Sequence, residues 1–337
     1  MAQDWLTLKR QGSEITFVVQ GPVFFVDTQN ITLLTTKSIR KHFPHSKIVF
    51  STWSDQDISG VIFDELILNQ RPKNWALTRN SISTKHPLAN NVNRQIISSR
   101  AGLETVKTRF AVKLRSDLVF TSNRLSKLLY RLETIDESPY KAFDKRVIVL
   151  DRITIDPRKA YKIAFNPCDY ISAGQTQDVA KLWSRSLMTE EDALWFESSR
   201  TPVQEPGRFV TPGLLARLSA ESHVWADLFA GTGIDSPKDY SDMRVEIVES
   251  TVRTFQTNLV PLGQSHIGLK SPKHPKGFDL ARVAYSYTYL DWKRDLRSSG
   301  VKSKFFTFHL DLVMLWLWEQ VLSLLARTRL IGKKQGD

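Results

Sequence analysis

Short apolar runs alternate with longer amphipathic stretches over the first 125 residues. The runs 14–19, 47–51, 63–68 and 110–114 are rich in β-branched and aromatic residues and predict strands. Apolar residues recur at helical spacing between them: Ile31, Leu34, Ile39 and Phe43 before Pro44, and Val92, Ile96 and Leu103 after the capping residue Asn91. This β-α-β alternation predicts an α/β fold with a mostly parallel sheet flanked by helices.

The pattern is less regular beyond residue 125. We expect a strand over 146–155, a turn-rich segment over 166–174 and a helix starting near Asp178. Residues 71–90 and the Pro/Gly-rich stretch 200–213 are predicted loops, the second either a mobile lid or an ordinary connector. Helical periodicity returns over 214–230.

Polar or turn-forming residues follow three of the predicted strands. The three groups are Gln20-Gly21-Pro22, Thr52-Trp53-Ser54 and Arg115-Ser116-Asp117. Ligands of open parallel sheets bind outside the carboxyl ends of the strands, so we expect these groups to border one site. Each also has a simple structural explanation, as a turn, a packing contact or a surface ion pair.

Lys113, Arg115 and Asp117 occupy alternate positions and would share one face of an extended segment. Arginine binds phosphate oxygens in pairs, and a carboxylate can hold a divalent cation or a ribose hydroxyl. The first helical turn after Asn91 adds Asn93, Arg94 and Gln95, where free backbone N–H groups favour an anion. A phosphorylated ligand would use all of these groups, although a buried structural ion pair is the alternative.

Charge and cysteine content narrow the range of partners. The chain of 337 residues has a net charge of +12, which points to nucleic acid, an acidic membrane surface or phosphorylated substrates. Cys168 is the only cysteine, so no intrachain disulfide or cysteine zinc cluster can form. We find no signal-peptide pattern and no 18-residue uncharged apolar span, and therefore expect a cytoplasmic protein.

The C-terminal region combines basic charge with an apolar helix. Between Lys293 and Lys334 there are nine Lys and Arg against three Asp and Glu. The apolar run 311–326 contains Glu319, which favours an interfacial helix over a spanning one. We expect peripheral attachment to anionic lipids of the inner membrane, with packing on the core or a homodimer contact as alternatives.

Several motifs resemble the WavE lipopolysaccharide synthesis family of bacterial glycosyltransferases. They are ITFVVQGPV, SIRKHFPHSKIVFSTWS, NNVNRQIISSRAGLETVKTRFAVKLRSD and NPCDYISAGQTQDVAKLW, within residues 15–225. The resemblance implies a GT-A-like (Rossmann-like) fold, to which the apolar run 311–326 would add a C-terminal helical extension. It also implies transfer of a sugar from a nucleotide-sugar donor to a glycan or lipid-linked acceptor of lipopolysaccharide or capsule.

The resemblance also assigns roles by position. The nucleotide would lie against the first two strand-end groups, with Trp53 stacking on the base and Asn93, Arg94 and Gln95 on the phosphate or ribose side. Lys113 and the Arg115-Ser116-Asp117 group would complete the donor site. Glu221 is the first choice for the catalytic base, although it could simply offset the dipole of a helix that starts after Ser219. Asp169 is the second choice or orients the acceptor, and Asp117 is the third catalytic candidate.

GT-A enzymes commonly carry Asp-x-Asp for a divalent metal, and here Arg115 replaces the first acid. Asp117, together with His266 or His274, could hold Mn²⁺ or Mg²⁺, or transfer could proceed without a metal. Lys270, Lys273 and Lys276 lie beside these histidines, either closing over a diphosphate or forming a solvated basic loop.

We therefore predict a transferase domain over 1–290, with a nucleotide-binding half (14–125) and an acceptor half (126–290), and a membrane-associating region over 291–337. The protein would act on the cytoplasmic face of the inner membrane. A non-catalytic nucleic-acid-binding or scaffold protein is the alternative, but no nucleic-acid recognition module is present and we expect no nucleic-acid partner.

Overall fold

A computed structural model describes residues 13–73, 75–77, 88–89, 91–195, 216–273, 284–301, 303–305, 313 and 317. The strands are β1 Ile15–Gln20, β2 Phe25–Val26, β3 Gln29–Asn30, β4 Lys47–Trp53, β5 Glu65–Asn69, β6 Ala76–Leu77, β7 Leu88–Ala89, β8 Phe110–Arg115, β9 Val119–Phe120, β10 Val147–Leu150, β11 Ile171–Gln175, β12 Leu259–Leu262 and β13 Leu269–Lys270. The helices are α1 Ile31–His42, α2 Val92–Glu104, α3 Arg124–Leu129, α4 Thr176–Trp183, α5 Glu190–Ala193, α6 Ala220–Leu228, α7 Val245–Asn258, α8 Gln264–Ile267 and α9 Tyr289–Ser298.

Seven of the strands form one mixed sheet in the order β12-β10-β11-β8-β1-β4-β5. Only β11 runs against the others, because it pairs antiparallel with both β8 and β10. The predicted α/β class with a mostly parallel sheet is confirmed, and the arrangement is consistent with a GT-A-like core. The carboxyl ends of β1, β4 and β8 consequently meet at the same edge of the sheet.

Both faces of the central strands are covered. On one face α2 comes so close to β1 and β4 that a Cβ added at Gly102 would lie 2.4 Å from the Val18 side chain. On the other face the rings of Phe17, Phe43 and Phe120 pack together, with centroids 4.8 to 5.4 Å apart. Burial on both faces explains why β1 is a continuous apolar run rather than an alternating one.

The predicted strands and helices of the first 125 residues are confirmed to within a few residues. Three later predictions differ from the structure in extent. The strand predicted over 146–155 ends at Leu150, and the turn-rich segment contains the start of β11. The helix predicted within 214–230 begins only at Ala220, because Ser219 caps it. Most of 71–90 and all of 200–213 lie outside the described residues.

The sheet takes strands from both predicted halves of the transferase domain. The predicted boundary after residue 290 falls inside α9, where Trp292 is fully buried and its indole donates to the Gln256 carbonyl at 3.0 Å. Of the apolar run 311–326, only Val313 and Leu317 are described. Within the described part of the chain, none of the helices has the length and apolar character needed to span a bilayer.

Candidate functional site

A cavity of about 450 Å³ opens where β1, β4 and β8 end, and we call it the strand-end cavity. Its lining comprises Gln20, Gly21, Pro22, Phe24, Trp53, Arg71, Asn91, Arg94, Gln95, Arg115, Ser116, Asp117 and Lys273. The structure thus brings together around one cavity nine of the thirteen residues that the sequence assigns to the donor.

The floor of this cavity is a hydrogen-bonded junction between the three strand ends. Gly21 has a φ of +116°, which side chains rarely adopt, and its N–H donates to the Ser51 carbonyl at 3.1 Å. The Ser116 hydroxyl donates to the Pro22 carbonyl at 2.6 Å. A Cβ at Gly21 would lie 3.2 Å from the Ser116 hydroxyl oxygen, so glycine permits both the turn and the close approach.

The first turn of α2 contributes Arg94 and Gln95 to the wall. One turn further along, the Ser98 hydroxyl donates to the buried Gln20 side chain at 2.8 Å and so fixes the helix against the end of β1. Arg94 contacts the Asn91 side-chain oxygen at 3.3 Å, and its Nε is buried without a hydrogen-bond partner among the described residues. Burial and the neighbouring Arg71 lower the pKa of Arg94 from its usual value.

Carboxylates neutralise only half of the cations that line the cavity. Arg115 donates through Nε and Nη2 to the two oxygens of Asp117 at 3.0 and 2.5 Å. Arg71 donates to both oxygens of Asp55 at 2.8 and 2.7 Å. Arg94 and Lys273 have no carboxylate partner among the residues that the structure describes. The cavity therefore has a local excess of positive charge suited to an anion.

The aromatic residue best placed for a ring contact is Phe24 rather than Trp53. Trp53 lines the cavity but is only 2 % exposed, and the Arg71 guanidinium lies 5.6 Å from its ring centroid. Phe24 is half-buried, with the Lys273 ammonium 5.3 Å from its ring. Its backbone N–H donates to the Thr32 hydroxyl at 2.8 Å, which anchors it to α1.

Four predicted donor residues do not line the cavity. Ser54 is exposed, and its hydroxyl donates to the Gln70 side-chain oxygen at 3.4 Å. Thr52 is fully buried within the sheet. The Asn93 amide exchanges hydrogen bonds with the Met188 backbone at 2.7 and 2.9 Å. Lys113 is fully buried. Its ammonium donates to the Asp169 carbonyl at 2.5 Å and lies 3.9 Å from the Trp183 ring centroid. Their assignment to the donor is corrected accordingly.

Glu221 and Asp169 line a second, much smaller cavity of about 20 Å³, which we call the carboxylate chamber. It has room for about one water molecule. Gln95 lines both this chamber and the strand-end cavity, so the two spaces are neighbours. Although Glu221 and Asp169 are 52 positions apart in the sequence, the fold brings them together beside the predicted donor site.

The charges around the chamber perturb one another. Burial, followed by the nearby Asp169 carboxylate, raises the pKa of Glu221 to about 8. Burial lowers the pKa of Lys113 to about 8. For Arg115, burial acts to lower the pKa, but the Asp169 and Asp117 carboxylates together raise it above its usual value. One Asp169 oxygen is buried with no hydrogen-bond partner among the described residues.

The start of α6 holds Glu221 in place through polar contacts. The Ser219 hydroxyl accepts from the Ser222 N–H at 3.0 Å as the helix cap and contacts Asn166 at 2.6 Å. Glu221 thus lies in the first turn, where it does offset the helix dipole, and it also faces the chamber.

The residues suggested for a metal do not form a coordination group. Both oxygens of Asp117 accept from Arg115. His266 is buried in α8 with its ring 6.5 Å from that of Tyr289, and it does not line the strand-end cavity. His274 lies outside the described residues. Within the described ranges there is no group of three or more His, Cys, Asp or Glu able to hold a metal ion.

Two residues of the cavity wall, Phe24 and Arg71, are not among the predicted site residues. Two others were predicted for different roles, Asn91 as a helix cap and Lys273 in a basic loop. Arg71 follows the end of β5 by two positions. The rule that ligands bind at the carboxyl ends of parallel strands was applied to β1, β4 and β8. Applying it to β5 as well would have found Arg71. Phe24 follows the Gly21-Pro22 turn, and no pattern in the sequence distinguishes it from the exposed Phe25.

A further groove of about 450 Å³ runs along α7 and α9, away from the strand ends. Its Arg158 is paired with Asp156 and Asp295 at 2.8 and 2.9 Å. The strand-end cavity is the better candidate for an anionic ligand, because it lies at the carboxyl ends of the parallel strands and Arg94 and Lys273 both line it without a carboxylate partner among the described residues.

A sequence model of the WavE lipopolysaccharide synthesis family matches residues 15–323. The chain belongs to this family. The match confirms the resemblance and extends it to include α7 and α9. It gives the chain a role in lipopolysaccharide synthesis. A search of curated proteins found no match.

Proposed function

We propose that this WavE-family protein is a glycosyltransferase that moves a sugar from a nucleotide-sugar donor to a lipopolysaccharide-type glycan. The observation that carries the proposal is that two spaces adjoin each other at Gln95. One is a cationic cavity at the carboxyl ends of parallel strands, and the other is a chamber lined by the buried Asp169 carboxylate and the partly buried Glu221 carboxylate. Binding of an anionic donor and proton removal from an acceptor need these two environments side by side.

The donor would occupy the strand-end cavity. Its phosphates would lie near Arg94 and Lys273, with the base against Phe24 and the ribose near the Gln20-Gly21-Pro22 turn. A cavity of about 450 Å³ lies within the size range of sites for small organic ligands. Trp53 would support this wall from beneath instead of stacking on the base, because it is 2 % exposed.

The chamber would supply the base. A pKa of about 8 lets Glu221 accept a proton near physiological pH, which an ordinary exposed glutamate does poorly. The acceptor hydroxyl gives its proton to Glu221 as its oxygen bonds to the anomeric carbon. The bond from that carbon to the phosphate oxygen breaks, and its electron pair leaves with the nucleotide. The chamber has room only for the reacting hydroxyl or for one water that relays the proton.

The acceptor would be lipid-linked, and the basic C-terminal segment would bring the protein to the anionic inner-membrane surface where such acceptors reside. Flotation with vesicles containing anionic lipid, against purely zwitterionic vesicles, tests this part. Equal recovery with both vesicle types would contradict it.

A thermal-shift panel of UDP, GDP, CDP, ADP and CMP tests donor binding without knowledge of the acceptor. A ligand present at 100 times its Kd stabilises the folded state by about 2.7 kcal/mol, so at least one nucleotide should raise Tm by several degrees. Transfer from the matching nucleotide sugar to truncated lipopolysaccharide then tests the reaction. The absence of a Tm increase with every nucleotide, together with the absence of transfer, would contradict the proposal.

A further inference from the structure

Asp117, the carboxylate that would have to hold a divalent metal in this site, already forms an ion pair with Arg115. Asp117 is 4 % exposed, and both of its oxygens accept hydrogen bonds from the Arg115 guanidinium. That guanidinium is itself fixed, because it stacks on the Tyr170 ring at 4.3 Å. A divalent cation bound to Asp117 would therefore sit beside a full positive charge that cannot move away freely.

Among the residues that the structure describes, no second acidic residue lines the cavity. Asp55, the other carboxylate at this edge of the sheet, accepts through both oxygens from Arg71. Mn²⁺ and Mg²⁺ bind through oxygen ligands, commonly including carboxylates together with substrate phosphates. The described residues of the strand-end cavity do not fit such a metal.

The cavity instead contains cations of its own that lack a counter-charge among the described residues. Arg94 and Lys273 line it without a carboxylate partner among the described residues, and the buried Nε–H of Arg94 has no acceptor. The diphosphate of a nucleotide sugar carries two negative charges, whereas a nucleoside monophosphate sugar carries one. Two free cations match the diphosphate in charge.

We propose that the donor is a nucleoside diphosphate sugar and that Arg94 and Lys273 neutralise its diphosphate without a divalent metal. This inference rests on the proposed function. As the glycosidic bond breaks, its electron pair passes to the terminal phosphate oxygen of the leaving nucleotide, where the two cations stabilise the developing charge. Arg115 and Asp117 act together as a neutral pair that shapes the wall.

Calorimetric titration of the full chain with UDP, GDP and CDP, and with their monophosphates, tests the inference in EDTA and again with Mn²⁺. The best diphosphate should bind about tenfold or more tightly than its own monophosphate in EDTA. Mn²⁺ should change that affinity by less than about threefold. Equal affinity for both, or diphosphate binding only with Mn²⁺, would overturn the inference while leaving the proposed function standing. No binding of any nucleotide would remove both.

Variants that remove one positive charge test which residues bind the diphosphate. Arg94→Gln and Lys273→Gln should each weaken diphosphate binding about tenfold and monophosphate binding less. Arg100→Gln is the matched control, because Arg100 lies on the same helix and does not line the cavity. Loss of affinity in the control equal to that in Arg94→Gln, or no loss in Arg94→Gln, would count against the assignment.

Asp117→Asn separates a counter-ion from a metal ligand. If Asp117 only neutralises Arg115, the variant leaves a more positive cavity and should bind the diphosphate at least as tightly as wild type in EDTA. A metal ligand would behave in the opposite way, with Mn²⁺-supported binding lost. The melting curve confirms that the variant is folded, and a variant that does not fold leaves the Arg94→Gln and EDTA results to decide.

Discussion

The strand-end cavity and the carboxylate chamber share Gln95 as a wall but handle charge differently. In the cavity, Arg115 and Arg71 are each neutralised by a paired carboxylate, whereas Arg94 and Lys273 remain without such partners among the described residues. In the chamber, charged groups are buried close together and shift each other's pKa values.

This difference separates binding from chemistry. Unpaired cations at an open edge can attract and hold an anion without any change in protonation. A buried carboxylate with a raised pKa is poorly suited to binding an anion but well suited to accepting a proton. Variants in the two regions should therefore have different kinetic signatures, and the following predictions test that separation.

The largest effect is expected from Glu221→Gln. Loss of the base should lower kcat by about 10² to 10⁴, because general acid–base catalysis contributes that much, while nucleotide affinity stays within about twofold. Steady-state transfer and calorimetry measure the two quantities. His223→Gln is the control, because His223 lies on the same helix and its ring contacts the Ser186 carbonyl at 2.9 Å. Wild-type turnover in Glu221→Gln would contradict the assignment of proton transfer to the chamber.

The pH profile should show a smaller effect with a definite sign. Transfer needs the ionised form of Glu221, so kcat should rise about tenfold per pH unit below about 8 and level off above it. Lys113→Met removes a buried cation that favours the carboxylate, and should move this midpoint to higher pH. A profile that is flat from pH 6 to 9 would contradict the role of Glu221.

Thermal stability should respond to the same carboxylate. The pKa of Glu221 is raised from 4.5 to about 8, so the folded protein keeps a proton that the unfolded chain releases. Stability is therefore lost as pH rises through this window. Glu221→Gln should raise Tm by a few degrees at pH 9 and leave it nearly unchanged at pH 5. A lower Tm for the variant at pH 9 would show that the ionised Glu221 carboxylate does not destabilise the folded protein.

The smallest effect is expected from Ser116→Ala in the cavity floor. It removes the hydrogen bond to the Pro22 carbonyl, which contributes about 1 kcal/mol. The donor KM should rise a few-fold with kcat unchanged, as for a purely binding defect. A change confined to kcat would instead connect this junction to the chemistry.

The sequence predicts the cavity better than it predicts the chamber. Strand ends follow from apolar runs, and parallel pairing brings such ends together, so Gln20, Trp53 and Arg115 could be placed on one edge from local patterns. The same reasoning failed for Lys113. Alternation assigns a strand residue to a face of the sheet but does not reveal that Trp183 and the Asp169 carbonyl cover that face.

The chamber depends on tertiary contacts that have no local signal. Glu221 and Asp169 were named as candidates, but their proximity arises because β11 pairs antiparallel with β8 while α6 is held by Ser219 and Asn166. The strand β11 was itself missed, since its sequence ISAGQ combines small and polar residues that are also common in turns. Paired forks such as Arg115–Asp117 likewise emerge only in three dimensions, because spacing alone cannot tell an ion pair from a metal ligand.

A crystal structure of the chain with its best-binding nucleoside diphosphate, grown in EDTA, tests the central claim most directly. We expect the diphosphate in the strand-end cavity, within hydrogen-bond distance of Arg94. The base should lie against Phe24, and the ion pair between Arg115 and Asp117 should be intact. A nucleotide bound instead in the groove along α7 and α9, or one whose phosphates lie away from Arg94, would contradict it.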